Sequence, residues 1–159
     1  MFQIRVFTPA YLLTGEVEEP HSFLGWMNNK DKTTLDLHNV EALVLDPKSS
    51  VPATAASLVT LHKSQVVGVD MFSPTAQQAV KVTGRPEVAV LYTARFLIQA
   101  NLHPSGDMPI GRIPDVVKSN FVAVTQAQLH PLLSTRLLPA LESPVMIRNW
   151  NHIDFYHAR

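Results

Sequence analysis

With 159 residues, 46% of them hydrophobic and only 16% charged, the chain has length for one ordinary domain or two small ones and ample apolar material for a core, which excludes a disordered polypeptide. Formal net charge is zero, so no overall positive field draws in a phosphate backbone, and the lack of cysteine excludes disulfides, thiolate metal sites and cysteine nucleophiles. No apolar run approaches the roughly 20 residues that cross a bilayer, and "MFQIRVFTPAYLL" lacks the order of a signal peptide, so the expectation is a soluble cytoplasmic protein without a membrane partner.

Prolines and polar clusters cut the chain into pieces of strand length, rich in Val, Leu, Ile, Thr, Phe and Tyr. The first predicted strand covers residues 2–17, long enough that a break near Pro9 is expected. "EEPHS" at 18–22 reads as a turn. Strands follow at 33–45 and 57–71, separated by the loop "DPKSSVPA" at 46–53. Residues 73–86, "SPTAQQAVKVTGRP", read as a linker with a short helical turn over 74–82. Further strands are predicted at 87–102, 120–129 and 144–156, with a loop at 103–109 and a second short helix over 132–141, ended by Pro139. The fold class is all-β.

The two halves of the chain share a pattern. Phe7-Thr8 stands 85 residues before Tyr92-Thr93, and Tyr11-Leu12-Leu13 the same distance before Phe96-Leu97-Ile98. One extra residue in the following loop moves the spacing to 86, which matches Gly25 with Gly111, Lys32 with Lys118, and Leu35-x-Leu37 with Phe121-x-Ala123. At the same spacing Val59-x-Leu61 meets Val145-x-Ile147, and Val67-x-Val69 meets Ile153-x-Phe155. Strand, loop and strand recur in order over nearly the whole chain, which predicts an internal duplication. The units would be 1–72 and 87–159, joined by 73–86. Each is small for an independent core, and closure into a small barrel would hide its sheet edges.

The first unit carries Gly15-x-Val17, then "WMNNKDKTTLDLHNVEAL"; Met27-Asn28 forms an apolar-Asn turn, and Leu35, Leu37 and Val40 an alternating strand. The second ends "PVMIRNWNHIDFY", with Ile147-Arg148 before the turn and Ile153 and Phe155 after it. These motifs resemble the first and second motifs of Sm-like small β-barrels, and their tandem arrangement resembles bacterial tandem Sm-like proteins. Asn149 stands where that family has Gly, the first unit has Leu61-His62-Lys63 in place of Arg-Gly, and Pro114 stands where Asn28 does in the first unit. The resemblance implies two small barrels, SH3-like in shape, and ring assembly. It implies no chemistry, because fold alone does not fix function.

In Sm-like rings the equivalent turns line a pore and contact RNA, which directs attention to His62 and Lys63 in one unit and Arg148, Asn149, Trp150 and Asn151 in the other. Single-stranded RNA needs cations for phosphate and planar groups for bases, and these residues supply both. Asn28 and Lys30, in the polar turn at 28–32, offer amides and charge beside them; the bland alternative for all eight is a set of solvated hairpin turns. Asp36-x-His38, His130, His152-x-Asp154 and His157 provide metal-ligand residue types, but no three or four converge in the sequence, so neither a metal, a cofactor nor a catalytic centre is expected. Trp26, Trp150, Phe155 and Tyr156 are expected in the core or at an interface.

The sequence therefore points first to a non-enzymatic assembly protein, a homo-oligomer joined through β edges and apolar faces into rings or filaments. An RNA-binding module is the alternative, and a small-molecule sensor using the cleft between barrels is a third reading. Zero net charge and seven histidines further predict assembly or solubility that changes between pH 5 and pH 8.

Overall fold

A computed structural model describes residues 1–18, 20–132 and 141–159. The break expected near Pro9 makes a hairpin: β1 (Phe2–Phe7) and β2 (Tyr11–Val17) pair from Phe2↔Val17 to Phe7↔Leu12. Thr8 closes its turn, Oγ1 accepting the Tyr11 N–H at 2.9 Å. A short helix, α1 (Phe23–Met27), follows; Ser22 caps it by accepting the Gly25 N–H at 3.2 Å. Next come β3 (Thr34–Val44), β4 (Thr54–His62), a 3₁₀ turn (Lys63–Gln65) and β5 (Gly68–Asp70).

After α2 (Pro74–Gln78), the series runs again: β6 (Glu87–Tyr92), β7 (Phe96–Leu102), a 3₁₀ turn (Ile110–Arg112) leading into α3 (Ile113–Val116), β8 (Phe121–Pro131), β9 (Leu141–Asn149), a 3₁₀ turn (Trp150–His152) and β10 (Phe155–Ala158).

The second series matches the first in detail. Thr93 closes its turn as Thr8 does, accepting the Phe96 N–H at 3.0 Å. The β2–β3 register slips between Thr14 and Glu16, and the β7–β8 register between Gln99 and Asn101. Asn39 and Gln126 both hold φ at +50°, left-handed for a non-glycine, and each side chain is hydrogen-bonded at 3.0 Å to the strand before it. Corresponding positions lie 85 apart through β1 and β2, then 87 apart from β3 and β8 onward, since Thr34↔His62 has its counterpart in Phe121↔Asn149. The loop difference is thus two residues, not the one expected. The apolar match of Leu35 with Phe121 misleads here, because the strand pairings make Thr34, not Leu35, the counterpart of Phe121.

All ten strands join one antiparallel sheet in the order β10-β6-β7-β8-β9-β5-β1-β2-β3-β4. The two expected barrels are not closed. β5, which closure of the first half would lay on β4, takes β9 as its partner instead. Two cores line the sheet, and each draws on both halves. Phe121 and Ile147 enter the core built around Phe2, Phe23 and Leu37. Phe7, Leu12 and Val67 enter the one built around Leu91, Ile98 and Leu129.

Several expectations shift. The strands expected at 57–71 and 144–156 are each broken by a 3₁₀ turn, and 87–102 is broken at the Thr93 turn. α1 and α3 were not expected; each is five residues or fewer, too short for a periodic signal. The segment 73–86 holds α2, as expected, but Ala76 and Val80 bury in the first core. The helix expected over 132–141 lies almost entirely outside the described residues.

Candidate functional site

β5 has three residues, all buried, and it is the seam of the sheet. One side pairs with β1. The other pairs with β9 as Gly68↔Arg148, Val69↔Ile147 and Asp70↔Met146. The ladder continues at both ends: Met71 N–H donates to Val145 O at 3.0 Å, and Asn149 N–H to Val67 O at 3.2 Å. Side chains reinforce it. Asn149 Nδ2 donates to Val66 O at 2.9 Å, and His152 Nε2 lies 2.8 Å from Ser64 O. Asn28, at the end of α1, grips the backbone of Phe121 from both sides, donating to its carbonyl and accepting its N–H, each at 2.9 Å.

The seam also buries charge. Asp70 is fully buried; Ser143 Oγ donates to Oδ1 at 2.5 Å, and Arg5 Nε stands 3.0 Å from Oδ2 as an ion pair rather than an aligned hydrogen bond. Burial raises the Asp70 carboxyl above its ordinary value, against the opposing pull of Ser143 and then Arg5. Arg148 is also fully buried, and none of its three guanidinium nitrogens has a hydrogen-bond partner among the described residues. Loss of hydration pushes it down to about 9. Gly68 makes the room: a Cβ there would lie 2.5 Å from Arg148 Nη1.

Where the two halves meet at this seam, the surface opens into a cleft of about 560 Å³. Its cations are Lys30, Lys32, Lys63 and Lys118, with His62 and His152 beside them. The amides of Asn28, Asn29, Asn120, Asn149 and Asn151 complete the wall, and among the described residues no carboxylate lines it. Lys63 is held in place: Nζ donates to Trp26 O at 2.6 Å and Asn29 O at 3.4 Å, and lies 4.4 Å from the centroid of the Trp26 ring. Burial, then the charge of Lys32, lowers its ammonium below the ordinary lysine value. Such a wall offers positive charge and amide donors and acceptors. Among the described residues it carries no paired acid and base.

Of the eight residues singled out from the sequence, His62, Lys63, Asn28, Lys30, Asn149 and Asn151 line this one cleft. Arg148 does not reach it as a free cation, since its side chain is sealed in the sheet. Trp150 packs against the second core, 5.3 Å from the ring of Tyr156, and borders a neighbouring groove. Lys118 and Asn120 were missed as site residues; Asn29 and Lys32 belong to the polar turn at 28–32, and His152 stands out in the sequence only as a metal-ligand type. The 86-residue spacing matches Lys32 with Lys118, but the strand pairing corrects that spacing to 87, so the match gives no reason for the two lysines to share a cleft.

Among the described residues no group of three or more His, Cys, Asp or Glu is placed to hold a metal ion, and no helix is long and apolar enough to cross a membrane. Comparison with family models, with curated proteins and with solved structures finds no match to this chain.

Proposed function

We propose that this protein is a non-enzymatic assembly module: two Sm-like small β units, 1–72 and 87–159, joined by 73–86 and associating with further copies through their sheet edges. The observation that carries the reading is the β5–β9 seam, where the edge of one series of elements is completed by the edge of the other. The same elements leave β10 and β4 as the outer strands of the sheet, each without a partner on one side among the described residues. Exposed Leu58 and Phe155 stand on these two strands. Unpaired strand edges beside apolar side chains favour addition of another chain. Light scattering coupled to size exclusion, with native mass spectrometry, tests the reading. Oligomers at micromolar concentration are expected, and a monomer up to hundreds of micromolar overturns it.

A second reading rests on the lysine- and asparagine-lined cleft. Four lysines without a facing carboxylate suit a phosphate-bearing strand, and amides suit base edges, which favours short single-stranded RNA. Fluorescence anisotropy with a labelled single-stranded RNA decides it. Lys30→Glu with Lys118→Glu is expected to abolish a salt-sensitive binding that the unmodified chain shows. Equal binding by both proteins, or none by either, removes this reading.

A further inference from the structure

The cleft at the seam gathers charge that the rest of the molecule pairs off. The chain has six lysines, and four of them, Lys30, Lys32, Lys63 and Lys118, line this one cavity. Elsewhere Arg5, Arg85 and Arg112 each face a carboxylate, that of Asp70, Glu87 and Asp115 respectively. Among the described residues no lysine has such a partner, and Asp31, between Lys30 and Lys32 in sequence, is not part of the cleft wall. Lys30, Lys32 and Lys118 are exposed, and of the four only Lys63 has its ammonium held by the fold. Burial, then the charge of Lys32, lowers the Lys63 ammonium, so the cations of the cleft already repel one another. An anion entering among them relieves that repulsion.

The rest of the wall selects the kind of anion. Several of its amides are spent on the fold. Asn28 holds the backbone of Phe121, Asn149 donates to Val66 O and accepts the Asn151 N–H at 3.1 Å, and Asn29 Oδ1 accepts the Asp31 N–H at 2.9 Å. Among the described residues no tryptophan or tyrosine lines the cleft, Phe121 is buried, and the His152 ring is tied to Ser64 O, so a run of stacked bases has little to rest on. The rings of the adjoining groove, Trp150 and Tyr156, pack on each other. No described arginine lines the cleft either, so its cations act as point charges rather than as planar forks. Its volume of about 560 Å³ is that of a small-molecule site, for which roughly 300–1,000 Å³ is usual.

Resting on the second reading only for the cleft as a phosphate site, we infer that its ligand is one compact oligophosphate, a chain of three or four linked phosphates, free or as the tail of a nucleotide, held by Lys30, Lys32 and Lys118 together with the fixed charge of Lys63. Such a chain carries about as many negative charges as the cleft has lysines. Directly linked phosphates set those charges as close together as phosphate chemistry allows. Along an RNA a ribose separates each phosphate from the next, so fewer enter the same volume, and a single phosphate leaves most of the lysines unmatched. Lys30, Lys32 and Lys63 belong to the first series of elements and Lys118 to the second, so the ligand ties the two halves across the seam. Neither a second copy nor an outer strand takes part.

Isothermal titration calorimetry of the full chain, without magnesium, tests this with inorganic tripolyphosphate, ATP, AMP and a short single-stranded RNA. Tripolyphosphate is expected to bind one per chain, and AMP about tenfold more weakly or worse. ATP no tighter than tripolyphosphate assigns the source as a free oligophosphate, and ATP tighter assigns it as a nucleotide; both results support the inference. Lys32→Gln and Lys118→Gln, at exposed positions, should each weaken tripolyphosphate about fivefold with the urea midpoint unchanged. Lys48→Gln combined with Lys81→Gln, both exposed and outside the cleft, should leave it unchanged. Tripolyphosphate no tighter than AMP, or weakened as much by the outside pair as by the cleft variants, overturns the inference. RNA bound without tripolyphosphate overturns it and leaves the RNA reading standing. Tripolyphosphate bound without RNA supports it and removes the RNA reading, and binding of neither overturns both.

Discussion

Arg148→Met tests what the buried guanidinium does to the fold. Methionine keeps the stem that packs in the sheet and removes the charge. Arg148 is completely buried and without a hydrogen-bond partner among the described residues, and its ionisation is pushed down to about 9 from the ordinary arginine value. Converted at 1.36 kcal/mol per unit, that corresponds to about 5 kcal/mol of unfavourable burial at pH 7. Relaxation of the site reduces the recoverable part, and hydrophobic replacement of buried charges elsewhere gains about 1–4 kcal/mol. With a urea slope of about 2 kcal/mol per molar, the Arg148→Met midpoint should rise by about 0.5–2 M. The pH dependence carries a definite sign. The folded chain releases the proton near pH 9 while the unfolded chain keeps it, so the unfolded state binds more protons above that pH, and stability rises with pH. The gap between the two proteins should therefore narrow from pH 8 to pH 11. An Arg148→Met midpoint equal to or below that of the unmodified protein, or a gap that widens with pH, would refute the reasoning.

Three other changes bear on the seam. Gly68→Ala sets a Cβ against Arg148 Nη1 and 3.2 Å from Ile147 O, and should cost about 1–3 kcal/mol in chemical unfolding, with most of that cost lost when Arg148→Ala is combined with it. Asn28→Ala strands the N–H and C=O of Phe121 and should lower stability by about 1–3 kcal/mol, read as a melting temperature lower by roughly 2–10 °C. Asp70 has its carboxyl raised by burial, so its contribution to stability is full below the ordinary value of 3.8 and is lost as pH rises through the folded one. Relative to Asp70→Asn, the unmodified protein should then lose stability as pH rises above 3.8, and urea midpoints followed from acid upward check the sign.

Much of the strand pattern was legible because it depends on local chemistry. Alternating apolar residues marked β3, and Ser22 and Ser73 were placed to accept helix N–H groups, although α1 itself is too brief to be read from periodicity. The recurrence was visible through Thr8 and Thr93, which do the same work in matching turns. Its second offset was off by one residue because apolar similarity drew Leu35 onto Phe121. Strand side chains alternate faces, so that single residue exchanges inside and outside for the whole segment. The failure to close was not legible at all. Which edge β5 chooses depends on contacts between residues some 80 positions apart, Val69 and Ile147 among them. The site shows the same division. The turns that carry His62, Lys63, Asn149 and Asn151 were identifiable one at a time, but their meeting in one cleft is a product of the seam. Arg148 reads as a surface cation in the turn sequence, and only the glycine across the sheet reveals that it is buried.

The chemistry of the seam and of the outer edges differs as their connectivity would require. Inside the chain the two halves are tethered, so joining them costs no independent translational freedom, and the seam can retain an unfavourable group such as Arg148. Its other polar groups are held locally and fix one register: Ser143 donates to Asp70, which also faces Arg5, and Asn149 donates to Val66 O. Under the proposed assembly, edges that stay in water until a further copy arrives are poorly served by such groups. A charge left there would be fully hydrated and would have to be stripped at each encounter. At the matching positions stand Leu61 for Arg148, His157 for Asp70, Ala56 for Ser143 and His62 for Asn149. Formal charge is thereby removed from every position where the seam buries it, while the main-chain ladder is preserved. On the assembly reading proposed above, a permanent joint within the chain and a reversible one between copies would differ in this side-chain composition.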